Sequence, residues 1–260
     1  MQLGCCVTPD RVAALAGAGG DYAELTVAST VMGGDDAAFA RLRADAASWG
    51  PRPRAYSVLL PGDLKVTGPA TDRSKQETYL RTAFARIHQL SGPGAVVVFG
   101  SGRSRAIPDG FSRDAALDQL ADFMTLTGVL AHEQGITMAL EPLRRGETNV
   151  FNDVRESGAF LRQRQIPNFL LLADLYHMME ENEPLSAIDE YADLIVHTHV
   201  ADSGRAAPGT GTYPIAEFFQ KLRANNYQGK CSIECRWDDF TAQIGPAMAA
   251  VRDAARSAGW

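Results

Sequence analysis

Residues Phe169-Leu170-Leu171-Leu172-Ala173-Asp174 form an apolar run that ends on a carboxylate, and a similar run follows at residues 194–200. Neither stretch alternates polar and apolar side chains over its whole length, which is typical of parallel strands buried on both faces. Six further short segments have the same character. The eight predicted strands span residues 2–7, 22–27, 54–60, 95–100, 137–141, 169–174, 194–200 and 231–235.

Longer amphipathic segments separate these strands and predict helices. The predicted helices span residues 37–49, 71–89, 114–133, 152–164, 214–225 and 241–258. Asp35-Asp36 can cap the first of them, Asn152-Asp153 begins another, and Pro214 suits a first helical turn. Eight strands in 260 residues give about 32 residues per unit, a usual size for a βα unit. The sequence therefore predicts an α/β fold in which residues 1–260 form a single (β/α)8 barrel, or TIM barrel.

A doubly wound open sheet is the alternative fold for alternating strands and helices. Such a sheet would place a glycine-rich phosphate-binding turn directly after the first strand. Here the first strand runs into Thr8-Pro9-Asp10-Arg11, which contains no glycine. The closed barrel is therefore favoured.

Composition excludes several classes of protein. The 25 basic and 31 acidic side chains leave a net charge of −6, which disfavours a nucleic-acid-binding protein. No apolar run is long enough to span a membrane. The amino terminus lacks a secretory signal pattern, and the four cysteines lack zinc-site or thioredoxin spacing. We therefore expect reduced thiols in a cytoplasmic protein.

Four consecutive predicted strands end on polar side chains: Glu141, Asp174, His199 and Glu234. The carboxyl ends of barrel strands meet at one mouth, so these side chains should converge there. Three carboxylates would repel one another unless a cation lay among them. Oxygen ligands with one nitrogen suit Mn²⁺, Mg²⁺ or Co²⁺ better than structural zinc. His197, two residues before His199, is predicted to be a hydrogen-bonded interior histidine beneath it.

The same strand ends carry a resemblance to a known family. The segments 140–143, 173–178, 197–205 and 233–235 resemble the xylose isomerase-like sugar isomerase/epimerase family. This family includes ketose 3-epimerases, hydroxypyruvate isomerases, and inosose isomerases or dehydratases. The resemblance implies that Glu141, Asp174, His199 and Glu234 are the metal ligands. It also implies that Glu147, His177 and Arg205 bind substrate.

The activity implied by this resemblance is a divalent-metal-dependent isomerase or epimerase. Its substrate would be a small sugar, a sugar phosphate or a keto acid, converted through an enediolate with Glu141 and Glu234 as the acid/base pair. One divalent cation is expected as cofactor: Mn²⁺ first, with Mg²⁺, Co²⁺ or Zn²⁺ as alternatives. An inosose-type dehydratase on the same metal site and a non-catalytic sugar-binding barrel remain alternative functions. We expect no nucleic-acid or membrane partner, and a homodimer or a homotetramer is compatible with the sequence.

Three further features near the predicted mouth allow more than one interpretation. Glu24 could enter the mouth or have a structural role. The loop 100–110 contains Arg103 and Arg105, which could meet a substrate phosphate or carboxylate or could lie on the surface. Residues 208–211 could form a flexible turn beside the site or a simple connection to the next helix.

Overall fold

In a computed structural model of the protein, which describes residues 1–260, eight parallel strands form a closed barrel. Each strand pairs with the next in sequence, and β8 pairs with β1. The predicted TIM barrel and all eight predicted strands are confirmed. The strands are β1 Gln2–Cys6, β2 Tyr22–Thr26, β3 Pro53–Ser57, β4 Val96–Phe99, β5 Thr137–Leu140, β6 Phe169–Asp174, β7 Ile195–Val200 and β8 Lys230–Ile233.

Ten α-helices surround the barrel or lie in its connecting loops. They are α1 Val12–Gly17, α2 Asp36–Ala46, α3 Arg73–Ser91, α4 Gly102–Arg105, α5 Arg113–Glu133, α6 Val154–Arg164, α7 Leu175–Glu180, α8 Ala187–Tyr191, α9 Ile215–Ala224 and α10 Phe240–Ser257. Side-chain oxygens cap the amino ends of six of them, because the first N–H groups of a helix lack partners within it. The capping residues are Asp35, Asp72, Ser112, Asp153, Asp174 and Asp239. None of the helices is both long and apolar enough to span a membrane.

The structure differs from the predicted helices in a few places. The helix predicted from residue 152 begins at Val154, because Asp153 caps it while the Asn152 side chain donates to the carbonyls of Leu143 and Thr148. Pro214 is the residue before α9 rather than a residue of its first turn. Four short helices, α1, α4, α7 and α8, are not among the predicted ones, since helices of 4 to 6 residues are too short to show helical periodicity.

The inside of the barrel is divided into an apolar and a polar half. A small apolar cluster, separate from the main core, is formed by Val96, Val98, Ala139 and Leu172 of β4, β5 and β6. The polar half is formed by buried polar side chains of β2, β7 and β8: Tyr22, Glu24, His197, His199 and Ser232. The main hydrophobic core includes outward strand residues and helix residues such as Phe84 and Phe218. The polar half therefore lies beneath the mouth, where the predicted site residues converge.

A close helix-to-loop contact gives a first prediction. A Cβ at Gly128 in α5 would overlap the backbone carbonyl oxygen of Pro167, which cannot move as a side chain could. We expect Gly128→Ala to lower the free energy of unfolding by about 2 kcal/mol through overpacking, as measured by denaturant titration. The control is Gly17→Ala in α1, where no heavy atom lies within 4 Å of the new Cβ. Equal stability of the two variants would contradict the contact.

Candidate metal centre

The carboxyl ends of β5 to β8 bring their polar side chains to one point of the mouth. Potential ligand atoms of Glu141, Asp174, His199 and Glu234 all lie within 4.8 Å of one another. His199 Nδ1 is 3.2 Å from Glu141 Oε1 and 3.4 Å from Glu234 Oε2. It is also 4.0 Å from Asp174 Oδ2. The four residues predicted as metal ligands therefore form one cluster around this imidazole nitrogen.

Asp174 divides its two carboxylate oxygens between a helix and the cluster. Oδ1 accepts a hydrogen bond of 2.7 Å from the backbone N–H of Tyr176 and so caps α7. Oδ2 is buried and has no hydrogen-bond partner. A buried carboxylate oxygen is costly unless a donor or a cation meets it. This unpartnered oxygen, in a set of three carboxylates and one imidazole, fits a divalent cation with a preference for oxygen ligands.

The electrostatics of the cluster also favour a bound cation. Burial raises the pKa of Glu141, and it raises the pKa of Asp174 to about 7. Burial also opposes ionisation of Glu234, but His199 and Arg205 hold the pKa of this carboxyl at about 2. The three carboxyls can all be ionised together only where added positive charge offsets their repulsion. A bound divalent cation would provide it.

Glu24 of β2 lies beneath the cluster, inside the barrel. It is 0% exposed, and its carboxylate contacts His197 Nε2 at 2.8 Å and His199 Nε2 at 3.0 Å. Burial opposes its ionisation, but the two histidines hold the pKa of Glu24 well below its usual range. His197 is the hydrogen-bonded interior histidine that its position predicts. Of the two alternatives for Glu24, the structure has the one in which it lies inside the barrel, below the mouth.

Cys6, at the end of β1, forms a second group of potential ligands with Glu24 and His199. In this group both Glu24 oxygens and His199 Nε2 already bond to each other or to neighbouring side chains. No ligand pair remains free to share a cation with the Cys6 thiol. The Glu141 cluster is therefore the better metal site.

His177 of α7 lies beside the cluster with one ring nitrogen aimed at it. Its Nδ1 accepts a hydrogen bond of 3.2 Å from the backbone N–H of Arg144, so the proton of the neutral ring is on Nε2. Burial lowers the pKa of His177 to about 3, which keeps the ring neutral. Nε2 is buried without a hydrogen-bond partner, 3.8 Å from Asp174 Oδ2. An N–H donor is therefore available to a ligand at the mouth.

Arg205 and Glu147 lie on the outer side of the cluster. The Arg205 guanidinium donates to Glu234 Oε2 at 2.7 Å and to Glu147 Oε1 at 3.2 Å. It also stacks on the Tyr176 ring, 4.9 Å from its centroid. Arg144 donates to the same Glu147 oxygen at 3.0 Å. All three residues predicted to bind substrate therefore surround the predicted metal ligands.

One buried carboxylate accepts several backbone hydrogen bonds from the loop that carries Arg205. Buried Asp202 accepts hydrogen bonds from the backbone N–H groups of Ser203, Gly209 and Tyr213. Arg205 has a left-handed backbone, with φ of 60°, a conformation that costs most residues energy. Its carbonyl oxygen also accepts from the N–H of Arg236, after β8. Residues 208–211 are thus part of an anchored connection into α9.

Arg105 occupies neither of the two positions considered from the sequence, one facing substrate and one on the surface. It is 0% exposed, and its guanidinium donates to the backbone carbonyls of Phe99, Glu141 and Phe151. It is therefore neither a surface arginine nor a free anion ligand. Its bond to the Glu141 carbonyl fixes the backbone at the end of β5. Arg103, in the same short helix, is exposed.

Comparisons with known proteins give the following matches. Residues 12–258 match the family described as "Xylose isomerase-like TIM barrel". The chain is 31% identical over 126 residues to 3-dehydro-D-guloside 4-epimerase from Escherichia coli, covering 48% of each protein. It is 29% identical over 199 residues to L-ribulose 3-epimerase from Mesorhizobium japonicum, covering 73% of this chain and 63% of that protein. The matches thus span about half to two thirds of these relatives' lengths.

A solved structure of D-allulose 3-epimerase from Methylomonas sp. superposes with a TM-score of 0.85. The two chains are 23% identical, and the superposition covers 98% of each. At this identity the likeness shows a shared barrel fold.

Gly100, after β4, gives a prediction for the cluster itself. A Cβ at this position would overlap Glu141 Oε2, the mobile end of a side chain, so the carboxylate should shift while the fold persists. We expect Gly100→Ala to weaken Mn²⁺ binding by about tenfold or more in calorimetric titration, as displaced metal-site groups generally do. Gly50→Ala is the control, because no heavy atom lies within 4 Å of its Cβ. Unchanged affinity in both variants would argue against Glu141 as a ligand.

Proposed function

Because the chain belongs to the xylose isomerase-like TIM barrel family, we propose that it is a divalent-metal-dependent isomerase or epimerase. Its substrate would be a small sugar, a sugar phosphate or a keto acid. Glu141 and Glu234 would act as the acid/base pair. Named relatives that are sugar epimerases support this class of reaction.

One observation carries the proposal: Glu141 and Glu234 flank a common centre from two different strands. Their carboxylate oxygens lie 3.2 Å and 3.4 Å from the same nitrogen, His199 Nδ1. A substrate carbon bound between the two carboxylates would have one of them on each side. Removal of its proton by one group, and delivery of a different proton to the opposite face by the other, would invert that carbon. A protein that only binds a sugar has no need of two such carboxylates.

Glu141, Asp174, His199 and Glu234 would hold the cation, and Mn²⁺ is the ion we propose first. A divalent cation bound there would polarise the substrate carbonyl and stabilise the enediolate that forms when the neighbouring carbon loses its proton. Mg²⁺, Co²⁺ and Zn²⁺ are alternatives for the same donor set.

The remaining predicted site residues would orient the substrate. His177 Nε2–H is a buried donor without a partner, suited to a substrate oxygen. Arg205 bonds to Glu234 and Glu147 and can present the fixed fork of its guanidinium to hydroxyl oxygens. Glu147 would accept hydrogen bonds from substrate hydroxyls. These contacts hold one carbon between the two carboxylates, which is the positioning that proton transfer requires.

Solvent exchange tests this function directly. Metal-loaded protein would be incubated in D₂O with a panel of ketoses, ketose phosphates, inososes and hydroxypyruvate, and followed by NMR. We expect at least one compound to gain carbon-bound deuterium and to form an epimer or an isomer. Loss of water from an inosose would instead indicate a dehydratase. Binding of the cation without exchange or turnover of any compound would contradict the enediolate proposal.

Substitution of one carboxylate tests the two-sided arrangement. We expect Glu234→Gln to lower turnover of the identified substrate at least 100-fold, because one of the two proton-transfer groups is lost. The matched control is Glu217→Gln on the exposed face of α9, which should keep the wild-type rate. Circular dichroism would establish that both variants are folded. Near-normal turnover by Glu234→Gln would refute its proposed role.

A further inference from the structure

Glu24 is the one carboxylate of the barrel interior that points at a predicted metal ligand from below. Three side-chain contacts surround it: His199 Nε2 on Oε1, and His197 Nε2 and Ser232 Oγ on Oε2, the last at 2.6 Å. Tyr22 and Ser232 hydroxyls are also 2.7 Å apart. Glu24, Tyr22, His197 and Ser232 are all buried, so no water competes for these bonds.

The hydrogens of this network can be assigned by counting. A carboxylate only accepts, so both histidines must donate to Glu24 through Nε2–H. The Ser232 hydroxyl donates to Glu24 and can accept the Tyr22 hydroxyl hydrogen. His197 Nδ1 has no partner, as expected for the lone pair of a neutral ring protonated on Nε2. Three donors are thus directed at the Glu24 carboxylate, and the Tyr22 hydroxyl at Ser232.

This assignment determines which nitrogen of His199 is available at the mouth. With Nε2–H bonded to Glu24, Nδ1 is the ring nitrogen that faces Glu141 Oε1 at 3.2 Å and Glu234 Oε2 at 3.4 Å. A proton on Nδ1 can bond to these carboxylates, but a cation that takes its place meets the lone pair of a ring that keeps its other proton on Nε2. We propose that Glu24 is a positioning residue, which holds His199 in the Nε2–H tautomer and thereby leaves Nδ1 free to bind the divalent cation. The inference rests on the metal site of the proposed function. Such carboxylate–histidine pairs support ligands in metalloproteins generally.

A glutamine at position 24 would keep the size of the side chain but not its hydrogen-bonding character. Its single carbonyl oxygen can keep the two bonds from His197 and Ser232 that now reach Oε2. The amide NH₂ would then face His199 Nε2 and require a lone pair there. His199 would carry its proton on Nδ1, where it blocks the cation. The reverse orientation of the amide keeps fewer of the present bonds.

The experiment compares Mn²⁺ affinity by calorimetry in wild-type protein, Glu24→Gln and Ser232→Ala. We expect Glu24→Gln to raise the Mn²⁺ Kd by 10–100-fold, the usual effect of losing a residue that supports a metal ligand. Ser232→Ala removes a bond to Glu24 of similar length but leaves its contact with His199 intact. The Mn²⁺ Kd of Ser232→Ala should stay within about threefold of wild type, because the lost hydroxyl does not contact a metal ligand.

Imidazole ¹⁵N NMR provides a readout that a merely structural role would not change. In metal-free wild-type protein we expect His199 Nε2 to carry a proton, and in Glu24→Gln we expect the neutral ring to carry its proton on Nδ1. A neutral Nδ1–H ring in the wild type would overturn the inference, even if the variant did not fold. An unchanged Kd in folded Glu24→Gln would also overturn it. Absence of Mn²⁺ binding in the wild type would instead refute the metal site and the proposed function.

Discussion

A carboxylate enclosed in a barrel must have its charge met by hydrogen-bond donors, because no water reaches it. Glu24 meets this constraint with donors from two other strands, His197 and His199 of β7 and Ser232 of β8. The constraint therefore couples β2 to the strands that carry the candidate metal ligands. It also explains why half of the barrel interior is polar, whereas Val96, Val98 and their neighbours fill the other half. The mouth is thus linked to the barrel interior through the contact between Glu24 and His199.

Two further buried groups hold the mouth from its sides, and both act through backbone atoms. Arg105 is directed at three carbonyl oxygens, among them that of Glu141. Asp202 collects the N–H groups of the loop that carries Arg205. Charged side chains in such places cost desolvation energy, which their hydrogen bonds offset. Arg105 and Asp202 thus fix the backbone that carries the candidate site residues Glu141 and Arg205.

The sequence predicted the barrel and the convergence of Glu141, Asp174, His199 and Glu234, because parallel strands in a closed barrel end at one edge. It did not decide the place of Glu24, whose partners His197 and Ser232 are 173 and 208 residues away in the chain. The burial of Arg105 could not be predicted either, because its hydrogen-bond partners are backbone carbonyls, which every residue type has. The helix α7 was also missed, because it has only 6 residues and because Asp174 both ends β6 and caps the helix, which leaves no connecting loop.

The division of the mouth has a consequence for how such a chain can diversify. The strands β5 to β8 lead into the four clustered residues, whereas β1, β2 and β3 end on Cys6, Thr26 and Ser57, all small side chains. Larger side chains at Thr26 or Ser57 would change the mouth on the side away from the cluster, whereas Cys6 lies within 4.8 Å of a His199 ring nitrogen and leaves no such freedom. Glu147, His177 and Arg205 follow β5, β6 and β7, so the residues proposed to bind substrate share the half of the ring that carries the cluster. Changes at the ends of β2 and β3 would leave both sets in place.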